Sequence, residues 1–114
     1  MKTRLEHVRI NVTDLTQAVK WYEENLGFTI EARWPPENPN YVHFESEGGA
    51  IFGLMEGEAS TPGRFNFYLP DVESLWERLK GKVEVIEEIM DTPYGSRKFT
   101  ICDPDGNELG FVQG

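Results

Sequence analysis

Three side chains in this 114-residue chain could act as a base or nucleophile near neutral pH: the imidazoles of His7 and His43 and the thiol of Cys102. A Ser or Cys nucleophile needs a base within hydrogen-bond reach. Cys102 closes the apolar run Phe99-Thr100-Ile101-Cys102, with no helix start or basic cluster adjoining it in sequence. It reads as a buried structural thiol. His43 lies on the polar side of Tyr41-Val42-His43-Phe44 and reads as a surface or pocket-wall histidine. The paired carboxylates Glu23-Glu24 and Glu87-Glu88 read as solvated faces, and Trp21 as packing or a subunit contact. No catalytic residue is expected. The polar residues that alternate with apolar ones in the strand-like runs suit binding instead.

The elements that must position them can be read from periodicity. Val8, Ile10 and Val12 alternate with His7, Arg9 and Asn11, which predicts a strand with one apolar side. Asp14 is a good N-cap, with Gln17 three residues on. Leu15, Ala18, Val19, Tyr22 and Leu26 follow at helical spacing, and Gly27 supplies the stop. Residues 28–34 form a second strand, and Pro35, Pro36 and Pro39 an irregular loop. Residues 41–45 and 50–56 form a hairpin around Glu47-Gly48-Gly49-Ala50.

The last turn, Asp103-Pro104-Asp105-Gly106-Asn107, has the same setting. Pro presets its own φ, Gly accepts positive φ, and apolar runs flank the turn. It lies 57 residues beyond the first hairpin turn, and the chain is twice 57 residues long. The offset holds without gaps. Val8, Ile10 and Val12 fall on Phe65, Phe67 and Leu69; Asp14 falls on Asp71; Tyr22 on Leu79; Phe44 on Ile101; Gly53 on Gly110. Such a period fixes the architecture before any other signal. The expected fold is α+β: two βαβββ modules in tandem, residues 1–57 and 58–114, joined by a Gly57–Gly63 linker. Each would be a four-stranded mixed sheet with one helix, its first and last strands parallel. Polar-lined sheets facing one another would enclose a cavity.

Net charge is −9 and the isoelectric point near 4.6. That argues against nucleic acid or an anionic membrane as partner, since both require a basic face. It mildly favours a cationic ligand. One cysteine excludes an internal disulfide. No apolar stretch suggests a signal peptide or a membrane span, so a cytoplasmic protein is expected.

The doubled order of elements resembles the vicinal oxygen chelate superfamily, which includes glyoxalase I, extradiol dioxygenases, and fosfomycin- and bleomycin-resistance proteins. The residues carrying the resemblance are His7-Val8-Arg9-Ile10-Asn11-Val12 with Asp14-Leu15, Trp21-Tyr22 with Leu26-Gly27-Phe28, and Asp103-Pro104-Asp105-Gly106-Asn107. The run Tyr94-Gly95-Ser96-Arg97-Lys98-Phe99 is similar to bleomycin-resistance-like members. The resemblance implies a two-fold homodimer. It also implies that metal-dependent members would present ligands from the positions of His7, Gly53, Arg64 and Gly110. Only His7 can bind a metal; glycine has no side chain and a guanidinium is a fixed cation. Moving the site to His43, Glu56 or Glu108 still leaves too few ligands. Glu56 shares a face with Phe52 and Leu54, and only Glu108 shares the parity of Gly110.

The expectation is therefore a metal-free small-molecule binding protein with no cofactor, acting by sequestration like the bleomycin-resistance proteins. Its ligand would be cationic or aromatic. The expected wall residues are His7, Arg9, Arg64, Asn66, Tyr68, Tyr94, Arg97 and Glu108, with Trp34 as an aromatic lid. The alternative is a divalent-metal-dependent lyase, isomerase or dioxygenase of the same superfamily.

Overall fold

Alternating apolar residues and glycine-bearing turns do produce two copies of one unit. The computed structural model describes residues 1–2, 4–58 and 62–114, and divides the chain into Met1–Thr61 and Pro62–Gly114. Part of the expected Gly57–Gly63 linker, residues 59–61, lies outside the described residues.

The first unit runs β1 (His7–Val12), α1 (Leu15–Trp21), a π-helical turn (Tyr22–Leu26), β2 (Ile30–Trp34), β3 (Tyr41–Phe44) and β4 (Ile51–Glu56). Its sheet has the order β1-β4-β3-β2, with β1 and β4 parallel and the other pairs antiparallel. Ile10, Val12, Val42, Phe44, Phe52 and Leu54 share one face and are buried together with Leu15 and Ala18 of the helix. Tyr22 is fully buried, its ring 5.6–5.8 Å from those of Phe28, Phe44 and Phe52.

The second unit repeats the plan: β5 (Arg64–Tyr68), α2 (Val72–Leu79), β6 (Glu84–Asp91), β7 (Arg97–Cys102) and β8 (Glu108–Gln113), in the order β5-β8-β7-β6. Here β5 and β8 are the parallel pair. The core stacks Trp76 on Phe99, Phe99 on Phe111 and Phe111 on Phe67, with centroids 5.3–5.4 Å apart.

The repeat extends to the caps. Asp14 and Asp71 accept from the backbone N–H of Gln17 and Ser74. Glu56 and Gln113 close the last strand of each unit. Each accepts the first N–H of its helix, Leu15 N and Val72 N, at 2.9 Å. Glu56 thus lies on the helix side, as its parity requires.

One element departs from the periodicity. The first helix is α-helical only to Trp21 and widens by a residue at Tyr22–Leu26. Asn25 Nδ2 donates to the Trp21 carbonyl at 3.0 Å in this wider turn, and both Tyr22 and Leu26 remain buried. Among the described residues no helix is long and apolar enough to cross a membrane.

Candidate functional site

Because each helix covers one side of its sheet, the other side is where side chains are free to meet a ligand. Register places His7, Arg9 and Asn11 of β1 beside Ile51, Gly53 and Met55 of β4 on the open face of the first unit. Tyr41 and His43 of β3 follow, then Ala32 and Trp34 of β2. The register of β2 shifts between Ile30 and Ala32. Glu31, in that irregularity, reaches His43 (below) and so joins the same face.

These residues form a continuous hydrogen-bonded chain. His7 Nε2 lies 2.9 Å from the Tyr41 hydroxyl, the hydroxyl 2.9 Å from His43 Nδ1, and His43 Nε2 2.9 Å from Glu31 Oε1. Gly53 makes room for it. A Cβ built there would stand 2.7 Å from the Tyr41 hydroxyl and 2.9 Å from its ring. Partial burial raises the pKa of Tyr41, and the nearby positive charge of Arg9 opposes that rise.

The second unit holds different chemistry on the corresponding face. Arg64 Nη1 donates to Glu108 Oε1 at 2.8 Å, and Arg64 Nη2 to Glu87 Oε1 at 2.8 Å and to Thr100 Oγ1 at 3.2 Å. The buried Thr100 hydroxyl donates to Glu87 at 2.6 Å, and Lys98 Nζ lies 3.6 Å from the same carboxylate. The Thr100 hydroxyl and the Arg64 guanidinium hold Glu87 down at about 2. The same contact with Glu87 raises the pKa of Arg64. Asn66 Oδ1 stands where a Cβ on Gly110 would go. Burial and the neighbouring Glu84 push the Cys102 thiol up to about 11, so it stays protonated and is no nucleophile.

The expected wall residues divide accordingly. His7, Arg9 and Trp34 share the open face of the first unit, while Arg64, Asn66, Tyr68 and Glu108 share that of the second. Trp34 ends β2 and is 66% exposed. Arg97 is elsewhere. It pairs with Asp91 and with Glu73 of α2, on the helix side shared by Phe99 and Ile101. Tyr94 is exposed in the turn between β6 and β7. Sequence reasoning did not single out Tyr41, Glu31 or Thr100, read Glu87 as part of a solvated face, and read His43 as a surface or pocket-wall histidine. One signal could have found Tyr41: a glycine inside a strand marks a close approach, and Gly53 sits diagonally beside it.

A groove of about 610 Å³ lies on the opposite, helix side of the first sheet, lined by Lys20, Glu23, Arg33, Asn40 and Glu56 among others. It contains neither imidazole, and Glu56 is committed to capping α1. Both imidazoles and the Arg64 contacts are on the open faces.

The four positions tied by resemblance to a divalent ion do not fit one. The Tyr41 ring fills the space over Gly53, Asn66 fills that over Gly110, Arg64 is a fixed cation held by two carboxylates, and His7 is bound to Tyr41. Among the described residues no group of three or more His, Cys, Asp or Glu side chains could hold a metal.

Paired βαβββ units, each with its first and last strands parallel at the sheet edge and centre, define a class, and the sequence confirms it. The sequence model of the Glyoxalase/Bleomycin resistance protein/Dioxygenase superfamily matches residues 4–111, and the chain belongs to that superfamily. A curated relative, the uncharacterized protein YwbC of Bacillus subtilis (strain 168), is 28% identical over 126 aligned residues, covering 99% of both chains. Among solved structures, TioX from Micromonospora sp. ML1 superposes with a TM-score of 0.83 at 20% identity, covering 97% of this chain and 98% of its own. Lactoylglutathione lyase from Agrobacterium tumefaciens gives 0.79 at 22% identity, covering 100% and 96%. A glyoxalase/bleomycin resistance protein/dioxygenase from Nocardioides gives 0.76 at 19%, covering 99% and 84%. These structures share the fold; their names range across the superfamily and single out no branch of it.

Proposed function

We propose that this protein is a small-molecule binding member of the superfamily that acts by sequestration without a metal, in the manner of its bleomycin-resistance-like members. The observation that supports this most is the occupancy of the space over Gly53 by Tyr41. Where a liganding side chain would project from β4, an aromatic ring stands instead, and its hydroxyl takes up the one imidazole that could have served as a ligand. Arg64 adds a permanent positive charge on the other unit, and its two carboxylates are spent on it. What remains is a set of oriented polar groups on sheet faces, with exposed Trp34 and Tyr68 beside them. Such surfaces hold small molecules through a few fixed polar contacts and aromatic area.

Metal content tests this reading against a divalent-metal-dependent lyase, isomerase or dioxygenase. Protein purified without chelator is expected to carry well under one equivalent of zinc, nickel, iron or manganese. Adding these ions should leave its melting temperature unchanged, because a ligand held only by the native state must raise it. The His7→Ala variant, run alongside, separates a real site from ions held by surface carboxylates. Stoichiometric metal that disappears in His7→Ala would overturn the proposal in favour of the metalloenzyme.

A further inference from the structure

On the open face of the first unit an uncommitted cation stands beside a chain of hydrogen bonds that can reverse. Arg9 makes no ion pair or hydrogen bond among the described residues, unlike Arg64 and Arg97, which each hold two carboxylates. It is two residues from His7 on the same strand, so both project from one face. His7 Nε2 is committed to Tyr41, and among the described residues no partner meets the Nδ1 edge of this exposed imidazole.

Counting protons fixes the possible states of the chain. An ionised Glu31 can only accept, so His43 Nε2 carries a proton. If His43 is neutral, its Nδ1 accepts from the Tyr41 hydroxyl, the Tyr41 oxygen accepts from His7 Nε2–H, and His7 Nδ1 is a bare lone pair. Add one proton at His7 Nδ1 and two arrangements satisfy every contact: the charge stays on His7, or the two inner bonds reverse. After reversal His43 Nδ1–H donates to Tyr41, Tyr41 donates to His7 Nε2, and His7 carries its proton on Nδ1, with no heavy atom moved. The Arg9 cation on the His7 side and the Glu31 carboxylate at His43 favour the reversed arrangement. In both, the outer edge of His7 changes from acceptor to donor. The charged or titratable groups facing this chain are Arg9 from β1 and Glu31 from β2; β4 contributes Ile51, Gly53 and Met55, none of which titrates.

We propose that the open face of the first unit is a binding site for the carboxylate of a small organic acid, held between the Arg9 guanidinium and His7 Nδ1–H, and that one proton is taken up as it binds. The proton comes from the buffer and enters at His7 Nδ1. The Nε2 proton passes to the Tyr41 oxygen, the Tyr41 proton passes to His43 Nδ1, and the carboxylate is unchanged. This names the ligand class for the metal-free binding reading and rests on it. It also replaces the cationic ligand that net charge suggests. Fields from exposed charges fade within about 8 Å at physiological salt, so the local guanidinium decides.

Benzoate is the probe, with benzamide as its neutral counterpart. Benzoate is expected to bind, with affinity falling about tenfold between roughly pH 5.5 and pH 8, the interval in which histidines ordinarily change charge. Benzamide should not bind. Calorimetry of the unaltered protein in two buffers of different ionisation heat should report uptake approaching one proton. Arg9→Met should weaken benzoate about tenfold or more at both pH values, and His43→Gln should remove the pH dependence. Three results would each overturn the assignment: no benzoate binding at millimolar concentration, no proton uptake, or full affinity in Arg9→Met. The metal assay separates this failure from that of the parent reading. Metal-free protein that ignores benzoate loses the carboxylate site alone, whereas stoichiometric metal removes the metal-free reading itself.

Discussion

The two units present the same backbone with opposite chemistry. At offsets of 57 residues, His7 stands where Arg64 does, His43 where Thr100 does, Tyr41 where Lys98 does, and Gly53 where Gly110 does. In the first unit these positions carry a chain of hydrogen bonds through two imidazoles and a hydroxyl, ending on one carboxylate. In the second they carry a fixed cation between two carboxylates, locked by a buried hydroxyl. Glu87 and Cys102 there are pushed in opposite directions, to about 2 and about 11, and neither changes charge near neutral pH. Duplication thus preserves what the backbone requires, namely caps, turns and the two strand glycines. It leaves the open faces free to diverge into one responsive surface and one static one.

The largest expected difference between the units lies in their hairpin turns. In the second, Asp103 accepts from the N–H of Asp105 and of Asn107 and from Asn107 Nδ2, at 2.8–2.9 Å. Asn107, 0% exposed, also accepts from Gly63 N at 3.0 Å, and Gly106 takes a φ of 86° to close the turn. In the first unit Ser46 Oγ makes the comparable local bonds, to Gly48 O and Ala50 O, at an exposed position. Asn107→Ala removes a charge-assisted hydrogen bond to the buried Asp103 carboxylate and the side-chain acceptor of the Gly63 N–H, and should cost about 2–4 kcal/mol. Ser46→Ala should stay within about 0.5 kcal/mol. Urea unfolding of both variants is the measurement; equal losses would mean the turns share the load.

Next in size is the charged knot. Its members are partly exposed, with side-chain accessibilities of 41% for Arg64 and 36% for Glu87, so solvent screening discounts the pairing. Arg64→Met should lower stability at pH 7 by about 1 kcal/mol. The pH dependence is the sharper readout. Glu87 has a folded pKa depressed from 4.5 to about 2. It therefore stabilises fully above about pH 4.5, and that contribution is lost as pH falls through about 2. Without Arg64 the depression shrinks, although the Thr100 hydroxyl, its larger cause, remains. The melting temperature of Arg64→Met should consequently fall less steeply between pH 4.5 and pH 2 than that of the unaltered protein. Parallel curves would show that Arg64 does not set this titration.

Much of the fold was legible because its signals are local. Alternation in residues 7–12, the Asp14 and Asp71 caps and the glycine turns each act within a few residues of themselves, and the 57-residue register multiplied them. The π-helical turn was not legible, since it involves the Asn25 side chain bonding the Trp21 carbonyl, which no 3.6-residue period encodes. On the open faces, parity correctly put Glu108 beside Gly110. Parity with Phe99 and Ile101 puts Arg97 on the helix side, a signal the expectation of a wall residue did not use. Glu31 escaped for the opposite reason. The irregularity between Ile30 and Ala32 breaks the alternation, so counting residues cannot say which face it takes. His43 was visible on the polar side of its strand, but the hydrogen bonds linking it through Tyr41 to His7 are a tertiary fact.

Tyr41→Phe should have the smallest effect on stability and the greatest on how the first face responds. The ring stays over Gly53, so packing is kept, and water can reach the partly buried nitrogens that lose the hydroxyl. The change should stay within about 1 kcal/mol. The chain has two histidines, and both belong to the hydrogen-bonded chain, so the imidazole resonances report nothing else. With the hydroxyl present, a proton on one imidazole dictates the polarity of the bond to the other, so His43→Gln should move the His7 ring resonances. With phenylalanine, His43 keeps Glu31 and His7 keeps only solvent and Arg9. In that background His43→Gln should leave the His7 ring resonances where they were, because no hydroxyl links the two rings. Equal movement of the His7 resonances with and without the Tyr41 hydroxyl would show that the three contacts are geometry alone, and that the first face is as static as the second.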